Sequence, residues 1–139
     1  MAPMPSRVPS RVSEVPAADS ASALRHFEPA LSFETDCWDV HQALTHGADF
    51  VLLDVRGAAA FAGGHVPGAV NLPHAQIDSA RLAAWPARTL FVVYCAGPHC
   101  NGAQRAAIQL ARLGRPVKIM IGGMTGWLDE GFGIEGTLP

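Results

Sequence analysis

The sequence has no long apolar run and no excess of charge of one sign. Its longest apolar stretches, residues 50–53 and 90–96, have the length of strands and are far too short to cross a bilayer. Ten Lys and Arg residues against twelve Asp and Glu residues give a net charge of −2. A chain with so little net charge has no electrostatic attraction to nucleic acid or to an anionic membrane. We therefore expect neither of them as a partner.

Cysteine is also scarce. The three Cys residues make an odd number, and their spacing does not match the disulfide framework of small secreted proteins. The N-terminus lacks the apolar core of a secretory signal, because prolines interrupt it at positions 3, 5, 9 and 16. These absences predict a protein of the reducing cytoplasm.

The length of 139 residues is sufficient for one domain with its own core. Residues 1–20 are rich in Pro, Ser, Ala and Val and show neither a helical nor a strand period. This composition predicts a disordered or loosely packed N-terminal extension. Residues 21–139 are predicted to form a single domain, in which a few large side chains fill a core that is otherwise rich in Ala.

Apolar strands alternate with helical patterns along this domain. Residues 50–55 and 90–94 are apolar runs, typical of strands buried on both faces. Residues 117–121 are predicted as a third, mainly apolar strand, and residues 69–72 as a shorter one. The clearest helix spans residues 103–113. Shorter helical patterns are found at residues 20–26, 36–46, 56–62 and 77–85. The alternation predicts an α/β domain with a mostly parallel sheet and helices on both faces.

Three strands of the predicted sheet end in residues that could take part in catalysis or in ligand binding. Cys95 follows the second strong strand, and Gly122–Gly123 follow the third. Asp54 and Arg56 lie at the end of the first. Ligands of open α/β sheets bind outside the carboxyl ends of the strands. We therefore expect these three strand ends to point toward one pocket.

Cys95 is the candidate nucleophile. It lies between a strand and a helix, where the N–H groups of the first helical turn lack partners and favour negative charge. A thiol held there is expected to have a lowered pKa and to be nucleophilic at neutral pH. The amides of the following loop would form an anion cradle, whose residues are Ala96, Gly97, Pro98, His99, Cys100, Asn101 and Gly102.

The chain resembles the rhodanese family of sulfurtransferase domains. The resemblance begins with Leu-Asp-Val-Arg at 53–56 and continues with Gly-His-Val-Pro-Gly-Ala-Val-Asn-Leu-Pro at 64–73. Val-Tyr-Cys at 93–95, the helix opened by Gly-Ala at 102–103 and Gly-Gly-Met-Thr-Gly-Trp at 122–127 follow in the family's order. Together these motifs cover the chain from about residue 31 to the C-terminus, and their combination is more specific than any one of them.

The resemblance implies a rhodanese-like five-stranded sheet and one catalytic cysteine, to which Cys95 corresponds. That cysteine would accept a sulfane sulfur as a persulfide and pass it to a thiophilic acceptor. The acceptor would be cyanide in the test tube and a small thiol or a protein in the cell. The loop amides would stabilise the persulfide anion. No cofactor and no metal are implied, and the oligomeric state stays open.

The loop departs from the family in its charge. Many members that use thiosulfate carry an Arg or Lys in this loop, whereas residues 96–101 contain neither. Arg105 lies one helical turn further on. This departure argues against thiosulfate as the donor.

Cys100 introduces a second chemistry. It is either a cysteine packed at the start of the helix without a redox role, or a resolving thiol that attacks a Cys95 persulfide and closes a disulfide. Five positions along a curled loop can bring the two Cα atoms within the roughly 4.4–6.8 Å that a disulfide requires. Two functions remain as alternatives to sulfur transfer. One is a thiol–disulfide or sulfane-sulfur redox module that uses both cysteines. The other is a non-catalytic rhodanese-like module that binds a partner protein.

The remaining candidates have less specific roles. His99 is interpreted as a water-exposed residue at the rim of the loop, with a role as titratable neighbour of the cysteine as the alternative. A zinc site that combines Cys95, His99, Cys100 and His65 is disfavoured, because no second pair of ligands accompanies the crowded loop. A cysteine phosphatase is disfavoured because position 101 is Asn rather than the Arg that clamps a phosphate dianion.

Three further residues are expected to support the site rather than to react. Asp54 and Arg56 are interpreted as a structural ion pair that holds the loop after the first strand, from which Arg56 would add positive potential near the pocket. His65 is interpreted as a hydrogen-bonding residue of the turn that Pro67 and Gly68 form.

Overall fold

The computed structural model describes residues 8–136. Residues 1–7 of the predicted extension and residues 137–139 of the predicted domain lie outside the described residues. Contacts divide the chain into two units, the first ending at Ala30 and the second beginning at Leu31. The first unit contains two helices, α1 (Arg11–Glu14) and α2 (Ser20–Ala30).

The second unit is built around a sheet of five parallel strands. The strands are β1 (Glu34–Thr35), β2 (Val51–Asp54), β3 (Val70–Asn71), β4 (Phe91–Tyr94) and β5 (Val117–Met120). Their order across the sheet is β1-β5-β4-β2-β3. Each pair of neighbouring strands is parallel, and the register places Asp54 beside Tyr94. The predicted α/β class and the five-stranded sheet are confirmed.

Within the described residues, four α-helices and a short 3-10 helix connect the strands, and a fifth α-helix follows β5. They are α3 (Cys37–His46), α4 (Ala58–Gly63), the 3-10 helix (His74–Gln76), α5 (Ser79–Leu82), α6 (Gly102–Arg112) and α7 (Gly123–Asp129). The Asp36 side chain caps α3 by accepting a hydrogen bond from Asp39 N. Helix α5 is much shorter than the predicted span of 77–85, because Ile77 has an extended backbone and Asp78 caps the helix.

Two apolar clusters fill the two faces of the sheet. Successive residues of a strand point to opposite faces, so the pairs Leu52 and Leu53, Val92 and Val93, and Tyr94 and Cys95 are divided between the clusters. The first cluster packs against α6 and α5, and consists of Leu53, Val55, Leu72, Ile77, Leu82, Phe91, Val93, Cys95, Ala103, Ala106 and Leu110. The second packs against α3 and α7, and consists of Cys37, Val40, Leu52, Val66, Val92, Tyr94, Met120, Met124 and Trp127.

Within residues 8–136, no helix has both the length and the apolar character needed to span a membrane.

Candidate active site

Cys95 lies at the point where β4 leaves the core and the loop to α6 begins. Its residue surface is 7% exposed, and it lines a cavity of about 290 Å³. The cavity lies between the loop, β5 and β1, and is lined by Glu34, Cys95, Gly97, Pro98, Cys100, Ala103, Gln104, Ile119, Met120, Ile121, Gly122 and Gly123. Two of the three predicted strand ends therefore meet in one cavity, those of β4 and β5.

The start of α7 is bonded to the cysteine loop. Met124 N donates to Cys95 O at 3.0 Å, and Thr125 N donates to Ala96 O at 2.9 Å. Gly123 makes this approach possible, because its φ of +58° is left-handed and a Cβ on it would lie only 2.9 Å from Gly97 N. The double glycine after β5 thus lets the backbone of α7 pack directly against the loop.

The loop presents several unbonded amides. Within the described part of the chain, the N–H groups of Ala96, Gly97, His99 and Asn101 have no protein acceptor. Cys100 N donates to Gly97 O at 3.1 Å, and Pro98 has no N–H to donate. Unbonded amides at the start of a helix can donate to an anion.

A disulfide joins Cys95 to Cys100. Their Cα atoms are 6.4 Å apart, within the distance that a disulfide requires. Cys100 is exposed while Cys95 is buried. The bond favours the interpretation of Cys100 as a redox partner over that of a cysteine packed without a redox role.

Asp54 and Arg56 lie on the other face of the sheet from the Cys95 side chain and do not line the cavity. Asp54 is fully buried and accepts hydrogen bonds from Arg56 Nε at 3.0 Å and from Tyr94 Oη at 2.7 Å. Burial raises the pKa of the Tyr94 phenol, and the Asp54 charge raises it further. Burial lowers the pKa of the Arg56 guanidinium, but its bonds to Asp54 outweigh that effect and raise it. These residues form a structural network.

His65 belongs to the same framework. Its ring stacks on Phe61 with centroids 3.7 Å apart, and its Nδ1 donates to Phe61 O at 2.8 Å. Its backbone exchanges two hydrogen bonds with Glu135. The structure therefore places His65 in the turn and outside the residues that line the cavity.

Two polar residues of the cavity, Glu34 and Gln104, were not predicted from the sequence. Glu34 belongs to the two-residue strand β1, which reaches the site because it pairs with Ile119 of β5. Arg105, by contrast, donates from Nε to Asn101 Oδ1 at 3.2 Å and lines a different cavity of about 470 Å³. Only knowledge of the strand order would have placed Glu34 at the site.

The one histidine of the loop, His99, and the two cysteines do not form a metal site. Among the described residues, no group of three or more His, Cys, Asp or Glu side chains is arranged to hold a metal ion. His99 is exposed, as expected for a residue at the rim of the loop.

Comparison with known proteins gives the family. The sequence profile of the Rhodanese-like domain matches residues 38–130. The chain belongs to the rhodanese-like domain family. The crystal structure of the BH2092 protein from Bacillus halodurans is similar to this rhodanese-like domain, with a TM-score of 0.83 and 36% identity over 86% of this chain and 88% of that one.

Two other relatives are longer proteins. The thiosulfate sulfurtransferase from Pseudomonas aeruginosa is similar with a TM-score of 0.61 and 28% identity, over 83% of this chain and 21% of that one. The HTH-type transcriptional regulator Rv0324 of Mycobacterium tuberculosis is 36% identical over 92 residues, which is 66% of this chain and 40% of that protein. This rhodanese-like domain thus spans less than half the length of either relative.

Gly102 offers a test of how closely the backbone approaches the two sulfurs. A Cβ on this residue would lie 2.7 Å from Cys95 Sγ and 3.3 Å from Cys100 Sγ. In the reduced protein, Gly102→Ala is expected to slow the reaction of Cys95 with iodoacetamide by roughly ten- to a hundredfold, because the thiol must leave its position. The fold should be retained, since Ala favours a helix over Gly by about 1 kcal/mol.

The matched control is Gly63→Ala in α4, where an added Cβ would meet no atom within 4 Å. The measurement is the alkylation rate of each reduced variant, together with its thermal unfolding midpoint. Equal alkylation rates for Gly102→Ala and the wild type would contradict the close approach of the backbone.

Proposed function

We propose that this rhodanese-like domain is a sulfurtransferase that carries a sulfane sulfur on Cys95. The observation that supports this most directly is the position of Cys95 in an accessible cavity, at the start of α6 and beside a loop with unbonded amides. Family membership supports it as well, as does the similarity to a protein named as a thiosulfate sulfurtransferase.

The proposed reaction has two displacements at sulfur. The Cys95 thiolate attacks the outer sulfur of the donor, the sulfur–sulfur bond of the donor breaks, and the rest of the donor leaves with the electron pair. Cys95 then holds a persulfide anion, to which the amides of Ala96, Gly97, His99 and Asn101 donate. An acceptor thiolate attacks the outer sulfur of this persulfide, and the Cys95 thiolate leaves. Cyanide replaces the acceptor thiol in the test tube.

The charge of the cavity favours one class of donor. Glu34 is the only charged residue on its lining, within the described part of the chain, and the remaining side chains there include Pro98, Ile119 and Ile121. Among these lining residues, no cation offsets the two negative charges of thiosulfate. The Glu34 carboxylate repels this anion. The reacting group of a persulfide carries one negative charge, whereas thiosulfate carries two. We therefore infer a persulfide donor. A thiol acceptor and a reducing cytoplasmic setting are part of the same proposal, and they rest on the sequence and on the family resemblance.

Mapping the transferred sulfur tests the proposal. The experiment uses Cys100→Ser, because this variant leaves Cys95 as a free thiol. After incubation with glutathione persulfide or thiosulfate, alkylation and digestion, we expect one additional sulfur atom on the peptide that contains Cys95. The persulfide should load faster than thiosulfate.

Cys37 is an internal control in this experiment. Burial raises the pKa of its thiol to about 11, so it stays protonated at neutral pH and should carry no added sulfur. Sulfur on Cys37 instead of Cys95, or no sulfur from either donor, would overturn the proposal and favour a non-catalytic binding module.

A further inference from the structure

We propose that Cys100 discharges the persulfide of Cys95, so that the domain releases the transferred sulfur as hydrosulfide and closes a disulfide. The domain would then not only hold the sulfane sulfur but also reduce it to hydrosulfide, while the thiols of Cys95 and Cys100 are oxidised to a disulfide. The inference rests on the proposed function, because it requires a persulfide on Cys95. It gives the loop a second reacting residue.

The geometry of the loop supports this role. The disulfide is formed with Cα atoms 6.4 Å apart, so the product of the proposed step fits the folded loop. Gly102 N donates to Cys100 Sγ at 3.4 Å. The same N–H can donate to a Cys100 thiolate, and its position at the first residue of α6 favours negative charge there. Cys100 Sγ is therefore close enough to attack Cys95 Sγ, and the Gly102 N–H can stabilise its thiolate.

The third cysteine cannot take this role. Cys37 belongs to the apolar cluster on the opposite face of the sheet from Cys95. Its Sγ donates to the carbonyl oxygens of Ile121 at 3.6 Å and Gly123 at 3.7 Å. A buried and protonated thiol is a poor nucleophile. The resolving thiol is therefore Cys100.

The discharge step is balanced in atoms and electrons. Cys100 Sγ attacks Cys95 Sγ, the bond between Cys95 Sγ and the outer sulfur breaks, and the outer sulfur leaves with the electron pair. The proton of the Cys100 thiol goes to the leaving sulfur, which departs as hydrosulfide. The sulfane sulfur gains two electrons, and the two cysteines lose two electrons as they form the disulfide.

A dithiol reductant, either a small dithiol or a dithiol protein, must restore the starting state. Cys100 is exposed while Cys95 is 7% exposed, so the thiolate of the reductant reaches Cys100 Sγ first. Its attack forms a mixed disulfide with Cys100 and frees Cys95 as a thiolate. The second thiol of the reductant then releases Cys100, and the reductant leaves as a disulfide.

A single turnover without external thiol tests the inference. Reduced and desalted wild type, Cys100→Ser and Cys100→Ala are each mixed with thiosulfate, whose leaving group is sulfite, or with inorganic tetrasulfide, whose leaving group is trisulfide. Hydrosulfide is measured against a protein-free blank. We expect the wild type to release one hydrosulfide per chain and to end two hydrogens lighter than the reduced protein. The two variants should release none and should each gain one sulfur atom.

The outcomes separate the two proposals. If the wild type keeps a persulfide, or forms the disulfide without releasing hydrosulfide, the discharge step is wrong, whereas sulfur loading of the Cys100 variants still supports the proposed function. If neither Cys100 variant gains sulfur from either donor, the proposed function itself fails. Cys37→Ala serves as the control, because it removes a thiol outside the loop and should behave as the wild type.

Discussion

Cys95→Ser is expected to lower the rate of thiocyanate formation from a sulfane donor and cyanide by at least about a thousandfold. A Ser hydroxyl at this position stays protonated at neutral pH and cannot hold a sulfur atom as a persulfide. The unbonded amides of the loop and the cavity would remain, but they act only on an anion that the variant no longer forms. Loss of the nucleophile therefore removes the covalent route entirely.

The comparison is best made in the Cys100→Ser background. There the second thiol cannot close a disulfide, and the difference between Cys95 and Ser at position 95 reports the nucleophile alone. The measurement is the initial rate with glutathione persulfide and cyanide, with circular dichroism to confirm that both variants are folded. A Cys95→Ser rate within about tenfold of its parent would show that the reaction bypasses a covalent intermediate.

The charge of the cavity also supports the proposal of a persulfide donor over thiosulfate. The loop between β4 and α6 contains no Lys or Arg, and the nearest Arg along the chain, Arg105, is bonded to Asn101. Glu34 adds a negative charge to the cavity lining. A cavity of this kind selects against dianions and leaves the loop amides as the main source of anion stabilisation. Under the proposed function, the charge of the donor therefore contributes to its selection.

Most of the sheet could be predicted from the sequence because strands buried on both faces have a clear apolar pattern. Strands β2 and β4 are of this kind, whereas β5 contains Lys118 and buries fully only Met120. The edge strand β1 has only two residues, Glu34 and Thr35, of which one is exposed, so no periodicity marks it. Its place in the sheet depends on pairing with β5, which is a contact between distant parts of the chain.

The candidate site likewise contains residues that the sequence predicts and residues that only the strand order brings there. Cys95 and Gly122–Gly123 were predicted to converge because both follow strong parallel strands, and the structure brings them together. Glu34 could not be predicted, since it reaches the cavity only through the strand order. The spacing of Cys95 and Cys100 permitted a disulfide but did not decide whether the loop curls enough to form one.

Asp54→Ala is expected to lower the free energy of unfolding by about 3–5 kcal/mol, the cost of removing one partner of a buried ion pair. Asp54 is fully buried, and its carboxylate accepts from the Arg56 backbone N–H, from the Arg56 guanidinium and from Tyr94 Oη. Tyr94 in turn accepts a hydrogen bond from Val66 N at 3.1 Å. Loss of the carboxylate removes the charge that faces the mostly buried guanidinium, which keeps only Gly64 O as an acceptor, and leaves a buried phenol without its acceptor.

Two further variants separate the effects of charge and hydrogen bonding. Asp54→Asn keeps the size and one acceptor oxygen but removes the charge that faces Arg56. Tyr94→Phe removes one donor to the carboxylate and is expected to cost about 1–3 kcal/mol, since Val66 N also loses its acceptor. The loss in free energy of unfolding caused by Asp54→Asn should lie between the losses caused by Tyr94→Phe and by Asp54→Ala. The measurement is urea unfolding followed by tryptophan fluorescence, to which the buried Trp127 contributes.

The exposed ion pair between Arg81 and Asp78 provides the matched control. Its side chains are 51% and 49% exposed, against 13% for Arg56 and 0% for Asp54. Arg81→Ala should therefore change the free energy of unfolding by no more than about 1 kcal/mol, because water already solvates both charges. If Asp54→Ala proved no more costly than Arg81→Ala, the network would be a consequence of the fold rather than one of its supports. The turn at Gly64 and Val66, where Gly64 O accepts from Arg56 Nη2 and Val66 N donates to Tyr94 Oη, would then be held against the sheet without help from Asp54.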